Sequence, residues 1–190
     1  MPSVKKWDIL KRQSAFTNPW WDIVDETVRL PNGTTTHFYI NHTRGGVIVF
    51  PVTEKGEVVF VRQYKHGARR ILLELPVGRI EKSDRDPKRA AIRELREETG
   101  FAPGRTAFVR SFQIFSTSST GKFWLYVVSG ARLVGKPLPT PKEITDVVTV
   151  PLARVPGMLR QGKIHSIVHV GAAYAALDFL AKGRPAVRKK

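Results

Sequence analysis

The alternation of apolar and polar residues predicts a strand-rich chain with one strongly marked helix near its middle. Strands, many of them bounded by Gly, Pro or Asn, are predicted at 35–40, 47–52, 58–64, 71–75, 107–115, 123–128 and 144–150. Two further helices are predicted at 152–160, where Pro156 can introduce a break, and at 166–181. Strands with a central helix and C-terminal helices indicate an α/β or α+β sandwich.

The central helix has clear start and stop signals. Asp86 suits the N-cap, Pro87 suits the first helical position, and Gly100 suits the residue just past the end. Between them, one face at i, i+3 and i+4 spacing carries Ala91, Ile92, Leu95 and Thr99. The pattern therefore predicts an amphipathic helix with this face toward the core.

Composition and turn signals divide the chain into three segments. Residues 1–44 have turn residues between short β-prone runs, which predicts an N-terminal antiparallel β ribbon or arm. Residues 45–181 carry the stronger periodic patterns and form the predicted main domain. Residues 182–190 hold five basic side chains and no acid, which is typical of a flexible tail.

Several classes of protein are excluded by composition. No apolar run approaches the ~18 residues that cross a bilayer, so no membrane-spanning segment is predicted. The N-terminal basic residues lack a following apolar stretch, so no secretory signal is predicted and a cytoplasmic protein is the simplest interpretation. The absence of cysteine excludes disulfides and thiolate chemistry.

The charge balance is strongly positive, with 32 Lys and Arg against 16 Asp and Glu, a net charge of +16. Such a chain favours anionic partners, including phosphates, nucleotides and nucleic acid. The acids are also clustered, because seven of the sixteen lie between residues 74 and 98. A cluster of carboxylates in a basic chain indicates a specific role for that segment.

Three of these acids, Glu94, Glu97 and Glu98, point to one side of the central helix, within an arc of about 100°. Like charges at this spacing destabilise a helix by a few tenths of a kcal/mol per pair. One explanation is a solvated face neutralised by neighbouring arginines. The other is a site for a hard cation such as Mg²⁺ or Mn²⁺, which prefers clustered carboxylate oxygens. The spacing alone leaves both open.

The surrounding sequence resembles a known family. The segment 78–101 begins with a glycine, continues through an acidic loop and ends in Arg93, Glu94, Leu95, Arg96, Glu97, Glu98, Thr99, Gly100 and Phe101. This segment resembles the Nudix box, which closes on Arg-Glu-apolar-x-Glu-Glu-x-Gly-apolar. Similarity to the ADP-ribose and nucleoside-diphosphate-sugar pyrophosphatases of that superfamily extends beyond the box, to the flanks 46–52, 61–67 and 74–78 and to the preceding segment 7–33. The resemblance implies a Nudix-type α/β/α sandwich, with a mixed sheet between helices, after the N-terminal ribbon.

One departure from the box concerns its first glutamate. The loop between Gly78 and Arg93 is one residue longer than usual, and the expected position holds no glutamate. Asp84 and Glu81 are the two candidates for a replacement. The departure affects the loop rather than the helix that carries the implied metal ligands.

The resemblance implies a metal-dependent hydrolase that cleaves the pyrophosphate bond of a nucleoside diphosphate linked to another moiety, ADP-ribose or a related nucleotide sugar. Glu94 and Glu98 match metal ligands, Glu97 a third ligand or a support, and the Val77 carbonyl an additional ligand for Mg²⁺ or Mn²⁺. Arg93 is expected to hold the glutamates by a bidentate ion pair.

The remaining expectations concern the general base, the substrate and the partners. By the resemblance, the general base is assigned to Glu143, although Glu143 could equally be an ordinary exposed carboxylate of a loop. Asp146 is expected to be structural. Candidate substrate contacts are Arg62, Gln63, Arg69 and Trp20, with Trp21 as an alternative to Trp20. A homodimer through the N-terminal ribbon is also implied.

Two alternative functions stay open, namely an inactive Nudix-fold module that binds nucleic acid and an RNA 5′-end pyrophosphohydrolase.

Overall fold

The computed structural model describes residues 4–138 and 145–183. The described chain divides into two compact units. One unit contains residues 4–45 together with 113–122, and the other contains 46–112 and the described residues from 123 onward. The segment 113–122 belongs with the N-terminal ribbon because Asn41 and Ser119 form a β-bridge, and because the Asn41 N–H donates to the Ser118 carbonyl.

The first unit is an antiparallel sheet of three strands, which confirms the predicted ribbon. The strands are β1 (Asp8–Thr17), β2 (Asp22–Arg29) and β3 (Thr35–Asn41), in the order β1-β2-β3. A tight turn between β1 and β2 forms because the Asn18 side chain accepts hydrogen bonds from the N–H groups of Trp20 and Trp21. All ten residues of β1 are exposed.

The second unit contains an eight-stranded mixed sheet. Its strands are β4 (Gly46–Thr53), β5 (Glu57–Lys65), β6 (Arg70–Glu74), β7 (Val77–Arg79), β8 (Phe101–Ala102), β9 (Arg105–Gln113), β10 (Lys122–Leu133) and β11 (Thr145–Pro151). The order β11-β5-β4-β10-β8 forms the main path, while β6 pairs with β5, β7 with β4, and β9 with β10. Strands β4 and β10 are parallel, and the other pairings that involve β4, β5, β8 and β11 are antiparallel.

Helices cover both faces of this sheet, as the predicted sandwich requires. The helices are α1 (Pro87–Thr99), α2 (Val155–Arg160) and α3 (Ile167–Ala181). Because side chains alternate along a strand, Val47 and Val49 of β4 pack in the core beneath α1. Ile48 and Phe50 of the same strand pack in the opposite core, which includes residues of α2 and α3. β4 is therefore the buried centre of the unit.

Sequence and structure differ mainly at short or irregular elements. Strands β7 and β8 were not predicted, because two or three residues give no readable periodicity. Strand β10 continues beyond the predicted end at Val128, since Gly130 at φ 70° accommodates a bulge. Pro156 does not break a helix. It lies in the first turn of α2, after a separate 3₁₀ turn at Leu152–Arg154.

Among the described residues, no helix has the length and apolar character that crossing a membrane requires. The predicted tail at 182–190 lies outside them apart from Lys182 and Gly183, and the predicted base Glu143 lies outside them as well.

Candidate metal and hydrolase site

Helix α1 carries the candidate site, and its predicted caps are confirmed. The Asp86 side chain accepts a hydrogen bond from the Arg89 N–H at 2.9 Å, and Gly100 ends the helix at φ 74°. The Gly100 N–H donates to the Arg96 carbonyl. Of the predicted apolar face, Ala91, Leu95 and Thr99 are buried, together with Ala90. Burying this face turns the acids toward β7.

Two carboxylates of α1 meet the backbone of β7. Oε2 of Glu98 accepts a hydrogen bond from the Val77 N–H at 2.9 Å. The Glu94 carboxyl group lies against Gly78 so closely that a Cβ atom at that position would overlap it. Gly78 pairs with Val47 and Val77 with Ile48, so β7 is fixed by the central strand β4. Glu94 and Glu98 therefore lie beside the main chain of Val77 and Gly78.

Arg93 links the acids of the helix to the preceding loop. Its Nη1 donates to Glu94 at 2.8 Å and to Glu97 at 2.9 Å. Its Nε and Nη2 donate to Asp84 at 3.2 and 2.9 Å, and Nη2 also donates to the Arg79 carbonyl at 3.0 Å. All three nitrogens of the planar guanidinium are used, a pattern that the single ammonium of lysine cannot reproduce.

The structure distinguishes between the two candidates for the missing box glutamate. The Asp84 side chain is only 6% exposed and forms the bidentate pair with Arg93. Glu81 is 59% exposed, and its nearest oxygen lies 3.9 Å from Arg93. Asp84 is also held by the Glu81 N–H, which donates to its Oδ2 at 2.9 Å. Within the longer loop, Asp84 therefore occupies the buried position beside Arg93.

Burial and the Arg93 guanidinium both shift the pKa values of acids at the site. Burial raises the pKa of Glu94, and Arg93 only partly offsets that increase. Hydrogen bonds from Arg93 lower the pKa of Asp84, and its carboxylate partners raise the pKa of the arginine itself. A poorly solvated carboxylate such as Glu94 gains from a second cation, because a metal ion would replace the water that burial removes.

The donor set fits a hard divalent cation. Carboxylates from one helix face and a main-chain segment lie together, and oxygen ligands of this kind suit Mg²⁺ or Mn²⁺. In the part of the chain that the structure describes, no three His, Asp or Glu side chains already converge as a complete ligand cluster. Arg93 holds Glu94 and Glu97 while the Val77 N–H holds Glu98, so these carboxylates would have to change their present hydrogen bonds to close such a cluster.

The ion pair of Asp84 gives a pH-dependent stability prediction. Asp84→Asn is expected to lower the free energy of unfolding at pH 7 by about 1–3 kcal/mol, because a buried charge-assisted pair is lost. The folded-state pKa of Asp84 is lowered, so the stabilisation is complete above the unfolded pKa near 3.8 and disappears as pH falls through the folded value. Denaturant unfolding should therefore show a smaller difference in the free energy of unfolding between wild type and Asp84→Asn at pH 3 than at pH 7.

A matched control is Asp178→Asn. Asp178 forms an exposed pair with Lys182 on α3, at 2.8 Å. Its loss should change stability by less than about 1 kcal/mol. Equal effects of the two substitutions would contradict the special position of Asp84.

The predicted substrate contacts are spread more widely. Arg62 on β5 pairs with Asp146 on β11 at 2.8 Å, which agrees with a structural role for Asp146. Arg69 lies exposed in the turn between β5 and β6 at φ 52°. Gln63 is 2% exposed, and among the described residues neither polar atom of its buried amide has a hydrogen-bond partner. Trp20 belongs to the first unit and is 59% exposed.

A buried polar group beneath the site was missed by sequence reasoning. Glu74, at the end of β6, and His169, on α3, are each about 5% exposed and lie 3.4 Å apart, between Oε1 and Nε2. The signal in the sequence was His169 itself, the one histidine in an apolar helix. Buried histidines in apolar helices form polar contacts in the core.

Comparison with known proteins identifies the family. A model of the NUDIX domain matches residues 42–169, and the chain belongs to that family. An ADP-ribose pyrophosphatase of Bacillus subtilis is 34% identical over 112 residues, which cover 59% of this chain and 60% of that protein. An ADP-ribose pyrophosphatase of Mycobacterium tuberculosis is 27% identical over 184 residues, covering 94% and 88% of the two chains.

A solved structure described as an ADP compounds hydrolase shares the fold. It superposes with a TM-score of 0.83 at 19% identity, and the match covers 96% of this chain and 98% of that one. This likeness confirms the predicted α/β fold with its mixed sheet between helices. The matched region spans 60% of the Bacillus relative's own length.

Proposed function

We propose that this chain is a divalent-metal-dependent hydrolase that cleaves the pyrophosphate bond of ADP-ribose or a related nucleotide sugar. The observation that carries the proposal is the meeting of Glu94 and Glu98 with the Val77–Gly78 backbone. Membership of the NUDIX domain family and the two ADP-ribose pyrophosphatases among its relatives support the same reaction class.

Glu94, Glu98 and the Val77 carbonyl would hold Mg²⁺ or Mn²⁺, with Glu97 as a third ligand or a support. A bound ion of this kind neutralises the pyrophosphate and makes a bound water easier to deprotonate. Arg93 holds these carboxylates in place, because it already donates hydrogen bonds to Glu94 and Glu97. Water adds to one phosphorus, the bond to the bridging oxygen breaks, and two phosphate monoesters leave. We assign the removal of the water proton to Glu143.

Of the proposed substrate contacts, Gln63 has the strongest support. Both polar atoms of its buried amide lack a hydrogen-bond partner within 4–138 and 145–183, and such a group is costly to bury unless a ligand completes its bonds. Arg62 and Arg69 lie at the end of the same strand and in the turn that follows it. We propose that these three side chains contact the phosphates or a ribose of the substrate.

The experiment that tests the proposal is a substrate panel with Mg²⁺ or Mn²⁺. ADP-ribose and nucleotide sugars should give two monophosphate products, identified by chromatography. A 5′-triphosphorylated RNA in the same panel tests the alternative RNA reaction. Salt weakens the contacts between a protein and the phosphates of a polymer, so any affinity for duplex nucleic acid should be lost at ~0.2 M salt. Hydrolysis of the nucleotide sugar should fall only modestly over the same salt range. Salt-resistant binding of nucleic acid without turnover would favour a binding module instead.

We also propose a cytoplasmic homodimer that forms through the N-terminal sheet. Strand β1 has no buried residue, and its apolar side chains Ile9, Leu10 and Phe16 are each about half exposed. Exposed apolar side chains on an edge strand favour pairing with another chain. Sedimentation analysis should give twice the mass of the chain, and Leu10→Glu with Phe16→Glu should shift it toward the monomer. A wild-type monomer would contradict the proposal.

A further inference from the structure

A buried polar cluster lies between β5, β6 and α3. Nε2 of His169 is 3.4 Å from Oε1 of Glu74, and Nζ of Lys65 is 3.3 Å from Oε2 of the same carboxylate. The side chains of Glu74 and His169 are each 6% exposed. Burying the carboxylate of Glu74 and the imidazole of His169 costs free energy that apolar side chains in their places would not cost, so packing alone does not explain the cluster.

The second nitrogen of the imidazole ring reaches the main chain. Nδ1 of His169 accepts a hydrogen bond from the Leu75 N–H at 3.2 Å. An accepting Nδ1 places the ring proton on Nε2, which faces Glu74. Burial and the charge of Lys65 lower the pKa of His169 to about 4, so the ring is neutral at pH 7 and keeps this acceptor.

The hydrogen bond at Leu75 belongs to a short segment that ends at the proposed main-chain ligand. Three elements hold the segment from Leu75 to Val77. The Pro76 carbonyl accepts from the Val49 N–H of β4 at 2.9 Å, and the Val77 N–H donates to Glu98 of α1. His169 supplies the third bond, from α3 on the opposite face of the sheet. Pro76 has no N–H, so these bonds satisfy both N–H groups of the segment.

We propose that His169 is a positioning residue for the metal site, fixing the Leu75–Val77 segment and thereby the place of the Val77 carbonyl relative to Glu94 and Glu98. The carboxylate of Glu74 faces the Nε2 side of the imidazole at 3.4 Å, and the Lys65 ammonium lies 3.3 Å from the same carboxylate. The inference rests on the proposed function, because it assumes that this segment contributes a ligand. It makes α3, which carries no proposed ligand, a support of metal affinity.

Two amide substitutions separate the hydrogen bond at Nδ1 from the contact between Nε2 and Glu74. The side-chain oxygen of asparagine lies near the place of Nδ1, so His169→Asn keeps an acceptor for Leu75. The amide nitrogen of glutamine lies near the place of Nε2, so His169→Gln keeps a donor for Glu74 and loses that acceptor. Mn²⁺ binding to the intact chain, without substrate, is measured by titration calorimetry, and kcat is measured at saturating Mn²⁺.

His169→Gln is expected to weaken Mn²⁺ binding about five- to tenfold, the effect of losing one net hydrogen bond, with kcat at saturating Mn²⁺ within about threefold of wild type. His169→Asn should bind Mn²⁺ within about threefold of wild type. Val168→Ala is the control for general destabilisation, because Val168 packs against the same core on the same helix. It should lower the melting temperature and leave the Mn²⁺ affinity unchanged.

Equal Mn²⁺ affinity in His169→Gln and wild type would overturn the inference, as would an equal loss in Val168→Ala or in His169→Asn. Glu98→Gln identifies a failure of the proposed function itself. If Glu98→Gln binds Mn²⁺ as tightly as wild type, the metal site is wrongly assigned. If Glu98→Gln loses binding while His169→Gln keeps it, only the role of His169 is wrong. Should His169→Gln not fold, His169→Ala, which removes the same acceptor and leaves the Leu75 side chain in the core, takes its place with the same expected loss.

Discussion

Glu98→Gln is expected to lower kcat by at least about a hundredfold, since loss of one transition-state contact of this kind costs a few kcal/mol. Glutamine has the same size, and its amide oxygen can still accept the hydrogen bond from the Val77 N–H that Glu98 accepts at 2.9 Å. The substitution therefore removes a charge while keeping the local structure. Turnover of ADP-ribose and the melting temperature should be measured on the same preparation.

The matched control is Glu54→Gln, at an exposed carboxylate that lies 3.6 Å from Arg132. It should keep kcat within about twofold, because an exposed pair of this kind contributes little. Near-normal turnover of Glu98→Gln, with the same dependence on divalent ions, would exclude Glu98 as a metal ligand. A large fall in melting temperature would show instead that its role is structural.

Gly78→Ala should affect both stability and catalysis. An added Cβ would overlap the Glu94 carboxyl group, so Glu94 would leave its place beside Arg93, or β7 would move away from β4. Overpacking of this kind typically costs about 1–3 kcal/mol, and displacement of a ligand should reduce kcat/KM at least about a hundredfold. Denaturant unfolding and steady-state kinetics measure the two effects.

Gly171→Ala is the comparison for that substitution. Gly171 lies inside α3, and no described atom outside the helix backbone lies within 4 Å of the position that its Cβ would take. Alanine is the better helix former, so this variant should be about as stable as wild type or more stable by up to about 1 kcal/mol. Unchanged activity and stability in Gly78→Ala would contradict the close packing of β7 against Glu94.

The helix at the site was predictable because its signals are local. Asp86, Pro87 and Gly100 mark its ends in the sequence, and the structure uses them as predicted. The placement of Glu94 and Glu98 on one side follows from helical geometry. The meeting of these acids with Val77 and Gly78 was available only through the family resemblance, because it depends on how β7 pairs with β4.

The choice between Asp84 and Glu81 was not predictable, since it depends on the path of an irregular loop. Both residues are acidic and lie at similar distances from Arg93 in the sequence, and only their burial separates them. The pairing of Glu74 with His169 was also out of reach, because the two residues come from elements that are distant in sequence. Local patterns carry no information on such contacts.

The parallel pairing of β4 with β10 has a consequence for folding kinetics. The ladder starts at Gly46 and Phe123, so it closes a long loop that contains β5 to β9 and α1. Contacts of this range form slowly, because the entropy of loop closure opposes them. Tyr126 and Val128 of β10 complete the core that covers Leu95 of α1. Although the acids of the site are nearly contiguous in sequence, their helix thus becomes fully anchored only at a late step of folding.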